Sequence, residues 1–336
     1  MTRKSAVAVV GATGHTARFV VEELLRRDLK PIAIARNLRA LEQTHFSGEV
    51  LRRCAIVDDP AALDSALDGA AGVINCAGPF VDTADAVAAA AIRAGAHYVD
   101  ISAEEVSVRL TMEKFDGLSR QTGVVVMPSV GIYGGFGDLI VTAALGDWDS
   151  ADTVELMIGL DSWHPTLGTR NTFKRIFETA VEGNDTSKPQ ASLKKPWDFG
   201  APLGRRLLVE FSFSESFLIR RHIQTSQLCT YLSDSAISDV SDPATPPPQA
   251  VDAAGRSAQR FAVEAIVARQ GDRRRIIANG ADTYAFTAPL VCEVVERLLE
   301  GRFSAAGAHT PGEIFDARDV LTALSRNTLI VDMTRA

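Results

Sequence analysis

The sequence predicts an α/β fold whose first part is a doubly wound parallel sheet. Two observations carry that reading. Up to about residue 130, short apolar runs alternate strictly with segments whose apolar residues recur at helical spacing. Beyond about residue 150 the apolar runs lengthen, so a second part of different build follows. Strict alternation of strand and helix calls for right-handed crossovers, and these make neighbouring strands parallel.

The elements follow in order. "AVAVV" is a buried strand, "TARFVVEELLRR" an amphipathic helix, "PIAIA" the second strand and "LRALEQT" a short helix. "VLRRCAIV" is the third strand, and "PAALDSALDG" opens a helix with proline in its first turn. "AGVINCA" is the fourth strand, and "DTADAVAAAAIRAG" is a helix closed by Gly95. "HYVDIS", "VSVRLTMEKFDGLSRQTG" and "VVVMPSV" complete the series as strand, helix and strand. In the second part "DTVELMIGLD", "RLLVEFSF" and "FAVEAIVAR…RRRIIANGA" read as longer strands, the last two joined by a "QGDR" turn. "SDPATPPPQA", residues 241–250, holds four prolines and reads as a mobile surface loop. "FTAPLVCEVVERLLEG" and "PGEIFDARDVLTALSR" return to helix.

Composition narrows the function. The 336 residues are 46% hydrophobic and 23% charged, with a net charge of −7, so no general basic field favours nucleic acid. The basic run Arg273 to Arg275 follows a Gly-Asp pair and reads as a solvated hairpin turn. No apolar run reaches the roughly 18 residues of a membrane span, and the N-terminal strand is too short for a signal segment. The four cysteines form no C-x-x-C pair, which suggests free thiols in a reducing, cytoplasmic setting. The six histidines show no H-E-x-x-H pattern, so no metal is expected.

A strand followed by Gly11-x-x-Gly14-x-x-Ala17 and a helix is a phosphate-binding turn. Glycines allow close backbone approach, and the helix N-terminus offers free N–H groups to a pyrophosphate. Gly11, Ala12, Thr13, Gly14, His15 and Thr16 are therefore assigned to cofactor binding. In an NAD site an acid about 20 residues downstream holds the ribose hydroxyls. Here Arg36, followed by Asn37, stands in its place, and a guanidinium can pair with a 2′-phosphate that a carboxylate would repel. The alternative for Arg36 is ordinary solvation. The expected cofactor is NADP(H), favoured over NAD(H).

Ligands sit at the carboxyl ends of parallel strands, so further contacts are expected there. Cys76, Ala77, Gly78, Pro79 and Phe80 end the fourth strand and offer a flat platform. Asp58 ends the third strand and reaches the adenine or caps the next helix. Ser102 ends the fifth and either meets cofactor or caps a helix.

"GATGHTARFV", "NCAGPF…AAAAIRAGAHYVDISAE" and "GADTYAFTAPLVCEVVERLLEG…TPGEIF" together resemble the saccharopine dehydrogenase-like oxidoreductases. The resemblance covers residues 5–140 and 276–324 and is faint between them. It implies three parts: a Rossmann NADP-binding domain (1–130), a second α+β domain on a mostly antiparallel sheet (131–285), and C-terminal helices packing back on the first (286–336). It also implies NAD(P) dependence and a homodimer joined through the sheet domain. This chain carries His15 and Ala17 where enoyl-reductase members have an aromatic and a glycine.

Substrate is expected between the domains. Tyr133, on the glycine-rich link "VMPSVGIYGGFGDL", is one candidate proton donor, or else a packed aromatic. Asp138 either meets substrate or caps a helix. The loop "DSWHPTLGTRNTF" supplies Trp163 and Arg170 as substrate contacts and His164 as the competing acid, or as a surface residue. No Tyr-x-x-x-Lys pair is present. The residues thus point to an NADP(H)-dependent oxidoreductase transferring hydride to or from a C=O, C=N or activated C=C bond of a small metabolite. A non-catalytic NADP(H)-binding redox sensor is the alternative.

Overall fold

The computed structural model describes residues 5–182, 194–326 and 329–333, with backbone alone for 176–182. The chain forms two compact units, Met1–Gly131 with Thr287–Phe315, and Ile132–Phe286 with Asp316–Ala336.

The first stretch runs β1 (Ala6–Val10), α1 (His15–Arg26), β2 (Lys30–Ala35), α2 (Leu38–Gln43), β3 (Leu51–Cys54), α3 (Pro60–Leu67) and β4 (Gly72–Asn75). It continues through α4 (Phe80–Arg93), β5 (His97–Asp100), α5 (Glu105–Thr122) and β6 (Val125–Met127). Next come α6 (Gly135–Leu145), β7 (Ser150–Leu160), α7 (Leu167–Glu182), β8 (Lys195–Asp198), β9 (Arg205–Glu210), α8 (Glu215–Arg220), β10 (Gln224–Ser233) and α9 (Asp234–Ser241). The chain closes with β11 (Arg260–Arg269), β12 (Asp272–Ala281), α10 (Thr283–Leu299), β13 (Gly307–Ala308), α11 (Pro311–Ile314), α12 (Ala317–Ser325) and β14 (Ile330–Asp332).

In the first unit seven parallel strands lie in the order β13-β6-β5-β4-β1-β2-β3. Strand order reverses at β1, so the crevice beyond its carboxyl end is the switch point of a doubly wound sheet. The central strands are buried on both faces, which is why β1 reads as an unbroken apolar run. Helix α1 covers the sheet with Ala17, Val20, Val21 and Leu24, a stripe at helical spacing. Each large side chain there contributes roughly 1.5–3 kcal/mol by leaving water. β6 stops at Met127 because Pro128 lacks an N–H and Ser129 turns to φ +64. It is shorter than the "VVVMPSV" run suggests.

The second unit holds a mixed sheet, β14-β12-β11-β7-β10-β9-β8, antiparallel except where β10 runs parallel to β7. The β11–β12 hairpin turns at Gln270 and Gly271, both at positive φ, which is the twist that a two-residue hairpin loop requires. The run Arg273 to Arg275 belongs to β12, not to the turn. Arg274 lies over the Trp148 ring at 3.9 Å, and Arg275 pairs with the buried Glu264 at 2.5 Å, so two of the three are engaged rather than simply solvated.

The C-terminal stretch 286–336 is divided between the units instead of forming one segment. Pairing is the reason: β13 joins β6 in the first sheet, whereas β14 joins β12 in the second. Residues 242–250 adopt neither helix nor strand and are mostly exposed.

Candidate functional site

The first site is the turn between β1 and α1. Gly11 sits at φ +80, where a β-carbon would lie 3.0 Å from the Ala77 backbone. A β-carbon on Gly14 would lie 3.1 Å from the Gly11 carbonyl oxygen, so a side chain there would press on the turn. The Gly11 and Ala12 N–H groups donate to the Ile34 carbonyl at 2.9 and 3.0 Å, tying the turn to the end of β2. Gly14 is the N-cap of α1, and neither a side-chain cap nor an acid in the first turn competes for the free N–H groups. Thr13 is exposed, Ala12 buried, and Thr16 half-buried. His15 packs edge-on against Phe19. These features fit a dinucleotide phosphate.

Val10 pairs with Ile34 at the end of the two strands, and Arg36 directly follows β2, next to the residues whose carbonyl holds the turn. It is exposed, and its guanidinium has no ion-pair partner among the described residues. The Asn37 side chain is committed to capping α2, accepting from the Ala40 N–H at 3.1 Å. Asp58 does not end β3, which stops at Cys54; it is exposed, and Asp59 caps α3 instead.

The Asn75–Phe80 loop leaves β4 beside the turn. Cys76 N–H donates to the Val10 carbonyl at 2.9 Å, while burial pushes the Cys76 thiol far up in pKa. Gly78 is exposed, Pro79 is half-buried, and Phe80 starts α4 as a buried residue. Ser102 is 1% exposed, and its hydroxyl accepts from Glu104 N–H at 2.9 Å, so it braces the loop before α5. Around it the structure gathers Tyr98, Asp100, Glu104 and Ser129, none of them assigned a role from the sequence. A run of polar residues directly after an apolar strand, "HYVDISAE", was the available signal. Burial raises the Asp100 carboxyl to about 6, held down in part by N–H groups of Ser129 and Ser102 and by Tyr98.

The second site is an aromatic cluster in the second unit. Tyr133 stacks on Trp163 at 4.9 Å and meets Phe213 at 4.7 Å, with Phe173 and Phe211 behind. The Tyr133 hydroxyl is buried with no hydrogen-bond partner among the described residues, and burial drives its pKa well above that of a free phenol. Trp163 Nε1 donates to Tyr284 Oη at 3.0 Å, and the Trp163 N–H to Asp239 at 2.8 Å. His164 is half-buried beside them in the chain.

Two of the expected substrate contacts are otherwise engaged. Arg170 lies on α7 rather than in a loop and donates to the carbonyls of Asp242 at 3.1 Å and Thr245 at 2.6 Å. Asp138 is inside α6, whose N-cap is Gly134, and its buried carboxylate meets His222 Nε2 at 2.6 Å. His222, 84 residues away, gave no sequence signal. Among the described residues no group of three His, Cys, Asp or Glu is placed to hold a metal ion.

A seven-stranded parallel sheet with this turn at its switch point defines a dinucleotide-binding protein. Residues 7–127 match the family model of the saccharopine dehydrogenase NADP-binding domain. It is 31% identical over 144 residues to a saccharopine dehydrogenase-like oxidoreductase of Bos taurus, covering 37% of this chain and 34% of the relative. A lipid droplet localized protein of Caenorhabditis elegans is 28% identical over 138 residues, 37% of this chain and 32% of its own length. The match thus spans about a third of the curated relatives. The fold as a whole is like that of apo saccharopine dehydrogenase (L-Glu forming) from Saccharomyces cerevisiae, with a TM-score of 0.66 at 12% identity over 98% of this chain and 100% of that one.

Proposed function

We propose that this chain is an NADP(H)-dependent oxidoreductase acting on a C=O, C=N or activated C=C bond of a small metabolite. The observation that carries the reading is Arg36, which follows the end of β2 that holds the Gly11–Gly14 turn and is without an ion-pair partner among the described residues. Gly11 to Thr16 would receive the pyrophosphate on the N-terminus of α1, and Arg36 would pair with the 2′-phosphate. Residues 76–80 would line the same ligand further along the sheet edge. When bound, the nucleotide supplies the redox chemistry. Tyr133 is the proposed proton donor: its hydroxyl is buried with no hydrogen-bond partner among the described residues, and a phenol carries its proton at neutral pH. His164 is the competing donor. The name of the Bos taurus relative supports an oxidoreductase.

Among the described residues no helix is long and apolar enough to cross a membrane. We place the protein in the cytoplasm as a homodimer, which fractionation and light scattering would check.

Titration with NADPH and NADH tests the cofactor assignment. The wild type should prefer NADPH, and Arg36→Asp should abolish or reverse the preference, since a charge-assisted contact contributes about 1.5–3 kcal/mol. Equal wild-type affinities refute it. Nicotinamide oxidation over a panel of imines, enones and keto acids tests the activity, and binding without turnover on any of them would favour a redox sensor.

A further inference from the structure

Glu104 closes the N-terminus of α4. Its carboxylate accepts from the backbone N–H groups of Phe80 and Val81, both at 2.9 Å, and the residue is 4% exposed. A helix N-terminus favours an anion, and here the chain supplies its own. The contrast with α1 is direct, because that helix carries no acid in its first turn.

Glu104 is itself held in place. Its N–H donates to Ser102 Oγ at 2.9 Å, and the Ser102 carbonyl accepts from the Ser129 hydroxyl at 2.6 Å. Asp100 Oδ1 accepts from the N–H groups of Ser102 and Ser129 at 3.0 and 2.7 Å. Asp100 Oδ2 accepts from the Tyr98 hydroxyl at 2.7 Å, which accepts in turn from Asn75 Nδ2 at 3.3 Å. Asn75 Oδ1 takes the Ala77 N–H at 3.0 Å, and the Thr83 hydroxyl donates to the Ala77 carbonyl at 2.6 Å. The loop leaving β4 is therefore fastened at Ala77 by Asn75 and Thr83, and at Phe80 by Glu104. Gly78 and Pro79 lie between the two fastenings.

We infer that Glu104 is a positioning residue: by clasping the start of α4 it fixes the 76–80 backbone in the shape that receives the nicotinamide nucleotide. The inference rests on the cofactor reading of that loop given above. Glutamine at 104 keeps the size but offers one acceptor where two N–H donors converge, and it turns an amide N–H₂ towards one of them.

The test is Glu104→Gln, followed by hydrogen exchange at the 80 and 81 amides and by NADPH titration, with circular dichroism confirming the fold. Both amides should exchange about tenfold faster or more, and the NADPH dissociation constant should rise about tenfold, the scale of one lost charge-assisted bond. Glu104→Asp, which keeps the charge, should restore part of both. If Glu104→Gln fails to fold, Glu104→Asp carries the same comparison against the wild type. Faster exchange with unchanged NADPH affinity overturns the positioning role and leaves Glu104 a helix cap alone. Unchanged exchange overturns the clasp itself. A wild type that does not bind NADPH overturns the cofactor reading of the loop, and the positioning role falls with it.

Discussion

Replacing Asp100 with asparagine should remove a defined part of the pH dependence of stability. The side chain is fully buried and accepts three hydrogen bonds, from Ser102 N–H, Ser129 N–H and the Tyr98 hydroxyl. Burial penalises the charged form more than those bonds favour it, so the carboxyl rises from its ordinary 3.8 to about 6. A folded chain that keeps this proton to higher pH than the unfolded one gains stability that is fully present below about pH 4. That gain falls as pH rises and is lost once pH passes about 6. The difference amounts to about 3 kcal/mol. Asparagine does not titrate. It keeps an acceptor for the two backbone N–H groups, but it leaves the Tyr98 hydroxyl proton without its acceptor, a pH-independent cost of roughly 1–3 kcal/mol. The stability of wild type minus that of Asp100→Asn should therefore shrink by about 3 kcal/mol between pH 3 and pH 7. Urea unfolding of both proteins at intervals across that range measures it, and the subtraction cancels the other carboxylates. A gap that stays constant, or widens with rising pH, would refute the reasoning.

Two more outcomes follow from side chains outside the clasp. Tyr133→Phe deletes a buried hydroxyl that has no partner among the described residues, so thermal stability should hold or rise by up to about 1 kcal/mol. If the phenol is the proton donor, turnover on an identified substrate should drop roughly 10²-fold with NADPH affinity unchanged. Full turnover in Tyr133→Phe, with the loss appearing in His164→Ala, would move the role to the histidine. Arg170→Ala removes both bonds to the Asp242 and Thr245 carbonyls, so limited proteolysis should nick 242–250 several-fold faster while global stability shifts by no more than about 0.5 kcal/mol. Unchanged nicking would show that Arg170 does not restrain the segment.

Much of the first unit was legible because its signals are local. Alternating apolar runs, Pro60 opening α3, Gly95 and Gly123 closing helices, and the Gly11–Gly14 turn each act within a few residues of chain. The same holds for the β11–β12 hairpin, where the "QGDR" turn tightens to Gln270 and Gly271, both at positive φ. In the second unit β10 escaped notice although it lies inside the sheet. "QTSQLCTYLS" is too polar and irregular to announce a strand, and its pairing with β7 and β9 supplies the order that its own pattern lacks.

The polar geometry of the site belongs to the tertiary structure alone. Periodicity reports which face of an element is buried, but it says nothing of where a buried donor finds its acceptor. Glu104 reaches back 24 residues to Phe80, Arg170 forward 72 to Asp242, and Asp138 forward 84 to His222. A carboxylate taken out of water must find such partners or lose its charge, and only the folded chain decides which residues stand within reach. By itself the sequence determined that a glycine-rich turn joins the first strand to the first helix and that an arginine follows the second strand. Which loop is clasped beside that turn, and which of the candidate side chains were already committed elsewhere, was decided by contacts between residues far apart in the chain.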